Sequence, residues 1–181
     1  MRIGLVSDTH VPSQLAALPK ALLDGLRGVD AILHAGDLVS LDVIDQLAEI
    51  APTTAVAGNM DREAAVRKLG RERTIEMGGH TIGLKHGDQL HALQSQYIGL
   101  PYDAPAFELF FQAMASQLPK ASIIVFGHFH APLVLEWRDR LFINPGAVAP
   151  SRSPSSFGLL TLDGSNVRAE IVELPSIPSI D

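Results

Sequence analysis

The sequence predicts an α/β fold in which two packed β-sheets are flanked by helices. Over the first sixty residues, short apolar runs alternate with segments in which leucine recurs at helical spacing, as in a βαβαβ unit with parallel strands. From about residue 72 the pattern changes to short strands, several of them separated by glycine-containing turns that are typical of hairpins. With 181 residues, of which 46% are hydrophobic, the chain is long enough to bury a substantial core. We expect one domain over residues 1–181.

Ten short apolar runs are predicted as strands. They span residues 2–7, 30–34, 53–57, 73–77, 80–85, 123–126, 132–136, 140–143, 157–162 and 167–174. Gly78-Gly79, between the fourth and fifth runs, is a two-residue hairpin signal, and Asp163-Gly164 marks the turn between the last two runs. The segments at 89–105 and beyond about 175 have no such pattern and are expected to be mobile.

Three helices are predicted from the spacing of apolar residues. The leucines at positions 15, 18, 22, 23 and 26 share one helical face, with Pro19 near the start of the helix and Gly28 near its end. Ser40 is predicted to cap a second helix, which Pro52 ends. An apolar stripe over residues 106–118 predicts a third helix that packs on the core.

The composition excludes several classes of protein. The chain has no cysteine, so any bound metal must be held by oxygen and nitrogen atoms. Its formal charge of -6 argues against an extended nucleic acid, and the basic stretch from Arg62 to Arg73 is interpreted as a solvated helix face. No apolar run reaches the roughly 20 residues that span a membrane, and the N-terminus has no signal-peptide pattern. We therefore expect a cytoplasmic protein without a membrane partner.

Five polar clusters each follow a strand-like run. They are Ser7-Asp8-Thr9-His10, Gly36-Asp37, Gly58-Asn59-Met60-Asp61, His86-Gly87-Asp88 and Gly127-His128-Phe129-His130. Each cluster alone also fits an ordinary turn, and the last is the most specific because two imidazoles separated by one residue follow an apolar strand. The carboxyl ends of parallel strands share one edge of a sheet, so the clusters are expected to meet there. A two-metal site would explain so many carboxylate, amide and imidazole groups at one edge.

In this order the clusters resemble the motifs of the calcineurin-like metallophosphoesterases, in particular their small single-domain phosphodiesterase branch. The matching motifs are Asp8-x-His10, Gly36-Asp37, Gly58-Asn59, His86 and Gly127-His128-x-His130. Asn144-Pro145-Gly146 also resembles a late segment of the family. The resemblance implies a four-layer α/β/β/α sandwich of two mostly mixed sheets flanked by helices, with two divalent metal ions at the strand edge.

The resemblance also implies a role for each of seven residues. The first metal would be held by Asp8, His10 and His130, the second by Asn59, His86 and His128, and both would be bridged by Asp37. Three of the seven are the candidate catalytic residues, namely Asp37, Asn59 and His128. Oxygen and imidazole donors suit Mn, Fe, Zn, Ni or Co, and Mn²⁺ is our first choice.

The implied reaction is the hydrolysis of a small phosphodiester by a hydroxide that bridges the two ions. Two divalent ions carry four positive charges against two negative charges from Asp8 and Asp37, so the site would attract a phosphate despite the net charge of -6. Many family members have a histidine directly after the motif asparagine, thought to protonate the leaving group, whereas this chain has Met60. Because a thioether cannot donate that proton, we expect aryl or cyclic-nucleotide phosphodiesters to be better substrates than alkyl phosphomonoesters. His10 and His91 are the other candidate acids.

Two alternatives stay open. A non-catalytic protein-binding scaffold can have the same fold, as one retromer subunit does, although the complete set of ligand residues favours an enzyme. A phosphomonoesterase or a nuclease could also use the same two metals. No motif identifies a base- or sugar-binding pocket, so Tyr97, Tyr102 and Phe129 are named only as candidates for its walls. The apolar content would permit a homo-oligomer.

The remaining histidines and acids have simpler interpretations. His34 either orients the Asp37 carboxylate or packs within its strand, and His80 is expected to face solvent at its hairpin. Asp61 and Asp88 are predicted to bind loop backbone or to orient the metal ligands.

Overall fold

The computed structural model describes residues 1–88 and 100–177. The strands are β1 (Arg2–Val6), β2 (Ala31–His34), β3 (Thr53–Ala55), β4 (Glu72–Met77), β5 (His80–Lys85), β6 (Ile123–Val125), β7 (Leu133–Trp137), β8 (Arg140–Asn144), β9 (Ser156–Asp163) and β10 (Asn166–Glu173). The helices are α1 (Lys20–Gly25), α2 (Asp42–Ala48), α3 (Glu63–Leu69) and α4 (Pro105–Gln117). None of these helices is long and apolar enough to cross a membrane.

The strands form two mixed sheets of five strands each. The first sheet has the order β10-β9-β1-β2-β3, in which β1, β2 and β3 are parallel and the β9–β10 hairpin is antiparallel to β1. The second has the order β4-β5-β6-β8-β7, in which β5, β6 and β8 are parallel and the two outer strands are antiparallel. The central strands read as continuous apolar runs because both faces of each sheet are covered.

Three groups of buried side chains separate four layers. Leu5 and Leu33 of the first sheet pack against Leu84 and Val125 of the second, so the two sheets face each other. The outer face of the first sheet packs on α1, α2 and α3, and the outer face of the second packs on α4. This arrangement confirms the predicted α/β/β/α sandwich.

The first helix is shorter than predicted. It begins at Lys20, after Pro19, whereas Leu15 and Leu18 lie outside it, although both are buried. The residue before a proline is disfavoured in a helical conformation, so the apolar spacing here reflects burial rather than one continuous helix. Ser40 was predicted at the N-cap of the second helix, but that position is occupied by Leu41. Ser40 lies one residue earlier, and its Oγ accepts the Asp42 N–H at 3.2 Å.

The two predicted hairpins are present. Met77 pairs with His80, so Gly78-Gly79 forms a two-residue loop with φ of 57° and 81°. The loop between β9 and β10 is Gly164-Ser165, one residue later than predicted, because Asp163 still pairs with Asn166. His80 is half-buried rather than solvent-facing, and its Nε2 donates to the Gly164 carbonyl at 2.9 Å, which joins the two hairpins.

Candidate metal centre

The polar clusters meet at the edges of two sheets, not at one edge of a single sheet. Asp8, Asp37 and Asn59 follow strands β1, β2 and β3 of the first sheet, whereas His86 and His128 follow β5 and β6 of the second. The carboxyl ends of these five strands therefore lie at the same end of the sandwich. The sequence could not distinguish these two arrangements, because both place polar residues after parallel strands.

Five of the seven predicted ligands have an unusual backbone conformation. Their φ angles are positive, at 52° for Asp8, 46° for His10, 56° for Asp37, 70° for His128 and 55° for His130. Residues other than glycine rarely adopt this region, and clusters of such residues occur at functional sites where the surrounding structure holds them. Strands β1, β2 and β6 each end in a sharp turn of this kind.

Three glycines allow these turns to approach one another closely. A Cβ atom at Gly127 would lie 1.9 Å from Ser7 Oγ, and one at Gly58 would lie 2.2 Å from Asp37 Oδ1. A Cβ atom at Gly36, whose φ is 100°, would lie 2.7 Å from His86 Nδ1. These distances are too short for any side chain, so the glycine that precedes each motif residue is a steric requirement of the site.

The first group of donor atoms joins Asp8, His10 and His130. The Asp8 Oδ1 atom lies 3.2 Å from His130 Nε2 and 3.9 Å from His10 Nε2, and the two imidazole Nε2 atoms are 3.4 Å apart. One donor atom from each residue lies within 4.8 Å of the others, a spacing that could hold a metal ion. These are the three residues predicted for the first metal.

The second group lies around His86. Its Nε2 atom is 3.2 Å from Asn59 Oδ1, 3.3 Å from Asp37 Oδ2 and 3.9 Å from Asp8 Oδ1. The His128 ring packs against the His86 ring with centroids 5.2 Å apart. The structure thus brings the residues predicted for the second metal to one place, together with both carboxylates.

Both carboxylates lie between the two groups. Asp37 Oδ2 is 3.8 Å from His10 Nε2 in the first group as well as 3.3 Å from His86 Nε2 in the second. Asp8 Oδ1 is 3.9 Å from each of those nitrogen atoms. The prediction that Asp37 bridges two metals stays a prediction, and Asp8 Oδ1 also lies within 3.9 Å of both groups.

Unsatisfied buried atoms indicate that the site fits a cation. Within residues 1–88 and 100–177, Asp8 Oδ1 and His10 Nδ1 make no hydrogen bond, although Asp8 is fully buried and His10 nearly so. A buried carboxylate oxygen without a hydrogen bond is costly, and a coordinated cation would offset that cost. The donors are all carboxylate, amide and imidazole groups, which suits divalent transition metals.

A backbone carbonyl fixes the tautomer of His86. The Ala35 carbonyl accepts a hydrogen bond of 2.7 Å from His86 Nδ1, so Nε2 is the atom that faces the other donors. Burial alone would lower the pKa of His86, but the Asp37 and Asp8 carboxylates outweigh it and raise the pKa to about 9. Burial would likewise raise the pKa of Asp8, whereas His130 and His86 hold it below its usual range. The carboxylates thus favour the charged form of His86, and the imidazoles favour the charged form of Asp8.

Asp61 holds the loops that carry Asp37 and Asn59. Its carboxylate accepts backbone hydrogen bonds from Asp37 at 2.9 Å, Val39 at 2.7 Å and Gly58 at 2.8 Å. Burial raises the pKa of Asp61, which is mostly inaccessible to solvent. The prediction that Asp61 binds loop backbone is confirmed. Asp88 pairs with Arg71 at 3.4 Å.

His34 forms hydrogen bonds with Gly36 and Thr9. Among the described residues it makes no hydrogen bond with the Asp37 carboxylate. Its Nδ1 accepts the Gly36 N–H at 3.2 Å, and its Nε2 lies 3.2 Å from Thr9 Oγ1. Burial lowers the pKa of His34 to about 3, so the ring is neutral at physiological pH. Because Nδ1 is an acceptor, the proton is on Nε2 and is donated to Thr9.

Two supporting residues had no assigned role in the sequence interpretation. Ser7 Oγ donates to Asp8 Oδ2 at 2.5 Å. Asn144, at the end of β8, donates to the Gly127 carbonyl at 2.9 Å and accepts the Gly146 N–H at 2.9 Å, which fixes the turn before His128. The only signal for Ser7 was its position directly before a motif residue. Asn144 was singled out only as part of Asn144-Pro145-Gly146, which resembles a late segment of the family.

A pocket of about 800 Å³ opens beside the metal centre. It is lined by Gln14, Leu100, Pro101, Tyr102, Phe107, His128, Phe129, His130, Ala131, Pro150, Ser151, Arg152 and Ser153. Tyr102 and Phe129 were predicted as walls, and both lie in this lining. Two other residues named for this region, Tyr97 and His91, lie outside the described residues, as does most of the segment 89–105 and the tail beyond 177.

Comparisons with known proteins agree with this fold and site. The calcineurin-like phosphoesterase superfamily domain matches residues 1–166. A probable metallophosphoesterase of Methanothermobacter thermautotrophicus is 34% identical over 176 residues, which are 95% of this chain and 92% of the relative. A protein of Methanocaldococcus jannaschii that is named a phosphodiesterase is 26% identical over 159 residues, which are 81% of this chain and 83% of that one. The crystal structure of wild-type Vps29 from Entamoeba histolytica complexed with Zn²⁺ has a TM-score of 0.68 and 26% identity, covering 96% of this chain and 99% of that one.

A four-layer sandwich with an acid–imidazole cluster where its two sheets meet is the arrangement of a metallophosphoesterase. The match over residues 1–166 and the relative at 34% identity show that the chain belongs to the calcineurin-like phosphoesterase superfamily. Its buried aspartates and histidines are consistent with the metal site of such an enzyme.

Proposed function

We propose that this protein is a metal-dependent phosphodiesterase that hydrolyses small phosphodiesters of the aryl or cyclic-nucleotide type. The observation that carries the proposal is the central position of the two carboxylates. Asp8 Oδ1 and Asp37 Oδ2 each lie within 3.9 Å of both His10 Nε2 and His86 Nε2, so two nitrogen-rich groups share two oxygen atoms. This is the donor arrangement that a pair of ions requires, and Mn²⁺ is the first candidate by donor type.

Bound divalent ions would supply positive charge for the phosphate oxygens and would lower the pKa of the attacking water. The residues of the chain hold and orient the reacting groups. The Ala35 carbonyl fixes the His86 tautomer. The Met60 N–H donates to Asp37 Oδ1 at 2.8 Å, so Asp37 Oδ2 is the oxygen that faces the imidazoles of His10 and His86. The ions would thus provide positive charge for phosphate binding at the ends of the strands, although the protein as a whole is acidic.

The preference for good leaving groups rests on three described residues near the site, none of which is placed to donate a proton to the leaving group. The Met60 side chain is 52% exposed and cannot donate a proton. His10 has its Nε2 within the first donor group, so a ligand role there leaves no proton for the substrate. The Tyr102 hydroxyl donates to the Ala131 carbonyl at 2.8 Å, and burial raises the pKa of Tyr102. None of these three residues, Met60, His10 and Tyr102, therefore serves as the general acid.

The proposal is tested by a metal-reconstituted assay. Protein stripped with a chelator is loaded with Mn²⁺, Fe²⁺, Zn²⁺, Ni²⁺ or Co²⁺ and assayed on bis(4-nitrophenyl) phosphate, cyclic nucleotides and alkyl and aryl phosphomonoesters. We expect metal-dependent turnover of the diesters, which is lost together with bound metal in Asp37→Asn and His86→Asn. Arg27→Gln, at an exposed residue that pairs with Asp24 and belongs to neither donor group, is the control and should retain both.

The same assay separates the alternatives. Faster turnover of monoesters than diesters would favour a phosphomonoesterase, and no turnover with any of the five metals would reject an enzyme and favour a protein-binding scaffold. The complete set of acid, amide and imidazole donors supports the enzyme, because a scaffold has no chemical need for a buried carboxylate oxygen without a hydrogen bond, such as Asp8 Oδ1.

A further inference from the structure

We propose that Arg152 is a specificity-determining residue that binds a second anionic group on the ester substituent held in the pocket beside the metal centre. This inference rests on the proposed phosphodiesterase function and narrows its substrate class. The favoured substrates would be phosphodiesters with an aromatic substituent that carries a carboxylate or a further phosphate.

The loop that carries Arg152 is attached to the metal centre. After β8, the Val148 N–H donates to the Ser7 carbonyl at 3.1 Å and the Ala149 N–H donates to the Asp8 carbonyl at 3.0 Å. The chain then continues directly into the segment 150–153, which lines the same pocket as His128 and His130. Arg152 is therefore placed beside the site by the backbone of Asp8 itself.

The pocket is larger than one phosphate group. At about 800 Å³ it lies within the range of roughly 300–1,000 Å³ found for sites that bind drug-sized ligands. The scissile phosphate belongs at the donor cluster, so the remaining volume is available for an ester substituent. The pocket thus has room for a group the size of a substituted aromatic ring.

One wall of the pocket is aromatic and held in place. Phe129 packs edge-on against Tyr102 and Phe107, with ring centroids 6.1 Å and 5.2 Å apart. The Tyr102 hydroxyl is fixed by Ala131 and by Asn144, which donates to it at 3.0 Å. Fixed aromatic rings favour a flat aromatic substituent, which can stack or pack edge-on against them.

Arg152 is the one residue in the described lining of this pocket that is charged at every physiological pH. None of the lining residues in the described part of the chain is acidic, and Arg152 is exposed with no hydrogen bond or ion pair to any described residue. By contrast Arg138 pairs with Glu108, Arg71 with Asp88 and Arg67 with Glu63. A guanidinium whose charge is not neutralised by the pocket is suited to bind a carboxylate or phosphate with two parallel hydrogen bonds.

The test measures binding by calorimetry to the Mn²⁺-loaded protein. The probes are phenylphosphonate, 4-carboxyphenylphosphonate and 1,4-phenylenediphosphonate, which share the aromatic ring and differ in the second group. We expect the carboxylated probe to bind about three- to ten-fold more tightly than phenylphosphonate, the range of a partly exposed charged hydrogen bond. Two of the probes carry a second anionic group, a carboxylate or a phosphonate. The probe of these two that binds more tightly, after correction for the two equivalent ends of the diphosphonate, shows whether carboxylate or phosphate is preferred.

Variants assign the effect to Arg152. We expect Arg152→Gln to abolish the difference between probes, Arg152→Lys to retain part of it, and Arg27→Gln to leave it unchanged. Equal binding of the probes by the unmodified protein, failure of all probes to bind, or a difference that persists in Arg152→Gln would each overturn the inference. Hydrolysis of bis(4-nitrophenyl) phosphate by the same Mn²⁺-loaded sample tests the proposed phosphodiesterase function independently of the role of Arg152.

Discussion

At the scale of single residues, Asp8 links the two halves of the metal centre. Its Oδ1 atom belongs to both donor groups, whereas its Oδ2 atom accepts hydrogen bonds from Ser7 Oγ at 2.5 Å and from the His128 N–H at 3.1 Å. One carboxylate thus offers charge to the centre with one oxygen and fixes the turn after β6 with the other. Such hydrogen bonds hold a ligand in the orientation that metal binding requires.

Met60 is the residue at which a proton donor can be added. The side chain is 52% exposed, so a histidine there would not be buried. We expect Met60→His to raise kcat for diesters with alkyl leaving groups by about ten-fold or more, since general acid catalysis contributes roughly 10²–10⁴-fold. Diesters with a 4-nitrophenyl leaving group should change little, because they need no proton. The measurement is the dependence of kcat on leaving-group pKa, with Met60→Gln as the control, and an unchanged slope would contradict the assignment.

Asp61 is predicted to be the most important residue for loop stability around the site. Asp61→Ala removes the acceptor of three backbone N–H groups in a mostly buried environment. Because each unsatisfied buried donor costs about 1–3 kcal/mol, we expect the free energy of unfolding to fall by about 3 kcal/mol, together with weaker metal binding. Urea denaturation measures the change. Asp139→Ala, at a side chain that is 88% exposed, should cost less than about 0.5 kcal/mol, and equal losses in both variants would contradict the prediction.

At the scale of elements, the site is made by how strands end. Each of β1, β2, β5 and β6 runs directly into a turn with at least one positive φ angle, and glycine supplies the close approach between neighbouring turns. The strands themselves are ordinary buried apolar segments. The residues that form the site are therefore found within two to four positions after each strand, where the backbone is least regular.

The Gly127 turn provides a test of this steric requirement. A Cβ atom there would lie 1.9 Å from Ser7 Oγ and 2.6 Å from Asp8 Oδ2. We expect Gly127→Ala to lower the free energy of unfolding by about 2 kcal/mol through overpacking, and to reduce bound metal more than stability alone explains. The matched control is Gly28→Ala, where φ is 77° but no atom lies within 4 Å; it should cost about 1 kcal/mol from backbone strain alone and leave metal content unchanged. Full metal content in Gly127→Ala would contradict the prediction.

The strands and the positions of the motifs could be predicted from the sequence, whereas helix limits and supporting contacts could not. Apolar runs and turn residues are local signals, so His80–Lys85 was predicted at both ends and Gly78-Gly79 was predicted as its turn. Leu15 and Leu18 were placed in a helix because burial and helical spacing give the same pattern. The contacts of Asn144 with Gly127, and the central position of Asp8, depend on how distant strands meet across two sheets, which no local pattern encodes.

At the scale of the whole molecule, the metal centre lies where the two sheets meet. The first sheet supplies Asp8, His10, Asp37 and Asn59, and the second supplies His86, His128 and His130. Each donor group draws on both sheets, since His130 joins Asp8 and His10, and His86 joins Asp37 and Asn59. An ion bound to either group would therefore connect the two sheets.

Metal binding should consequently stabilise the entire fold. With free metal at about 100 times its Kd, binding adds about 2.7 kcal/mol to the free energy of unfolding. For a chain of this length that corresponds to a rise in Tm of about 5–10 °C. Thermal unfolding of chelator-treated protein, with and without added Mn²⁺, measures the effect, and Asp37→Asn should show little of it. Equal Tm values for the metal-free and metal-loaded protein would contradict a centre that joins the two sheets.

The strand order of the first sheet has a consequence for the order of events during synthesis. β1 is made first, yet one of its two neighbours is β9, and the loop just before β9 bonds to the carbonyls of Ser7 and Asp8. A nascent chain that has not yet reached residue 156 exposes β1 as an edge strand and lacks those contacts. The contacts to the carbonyls of Ser7 and Asp8 can therefore form only after the ribosome has delivered the loop before β9, so the candidate site is completed late in synthesis.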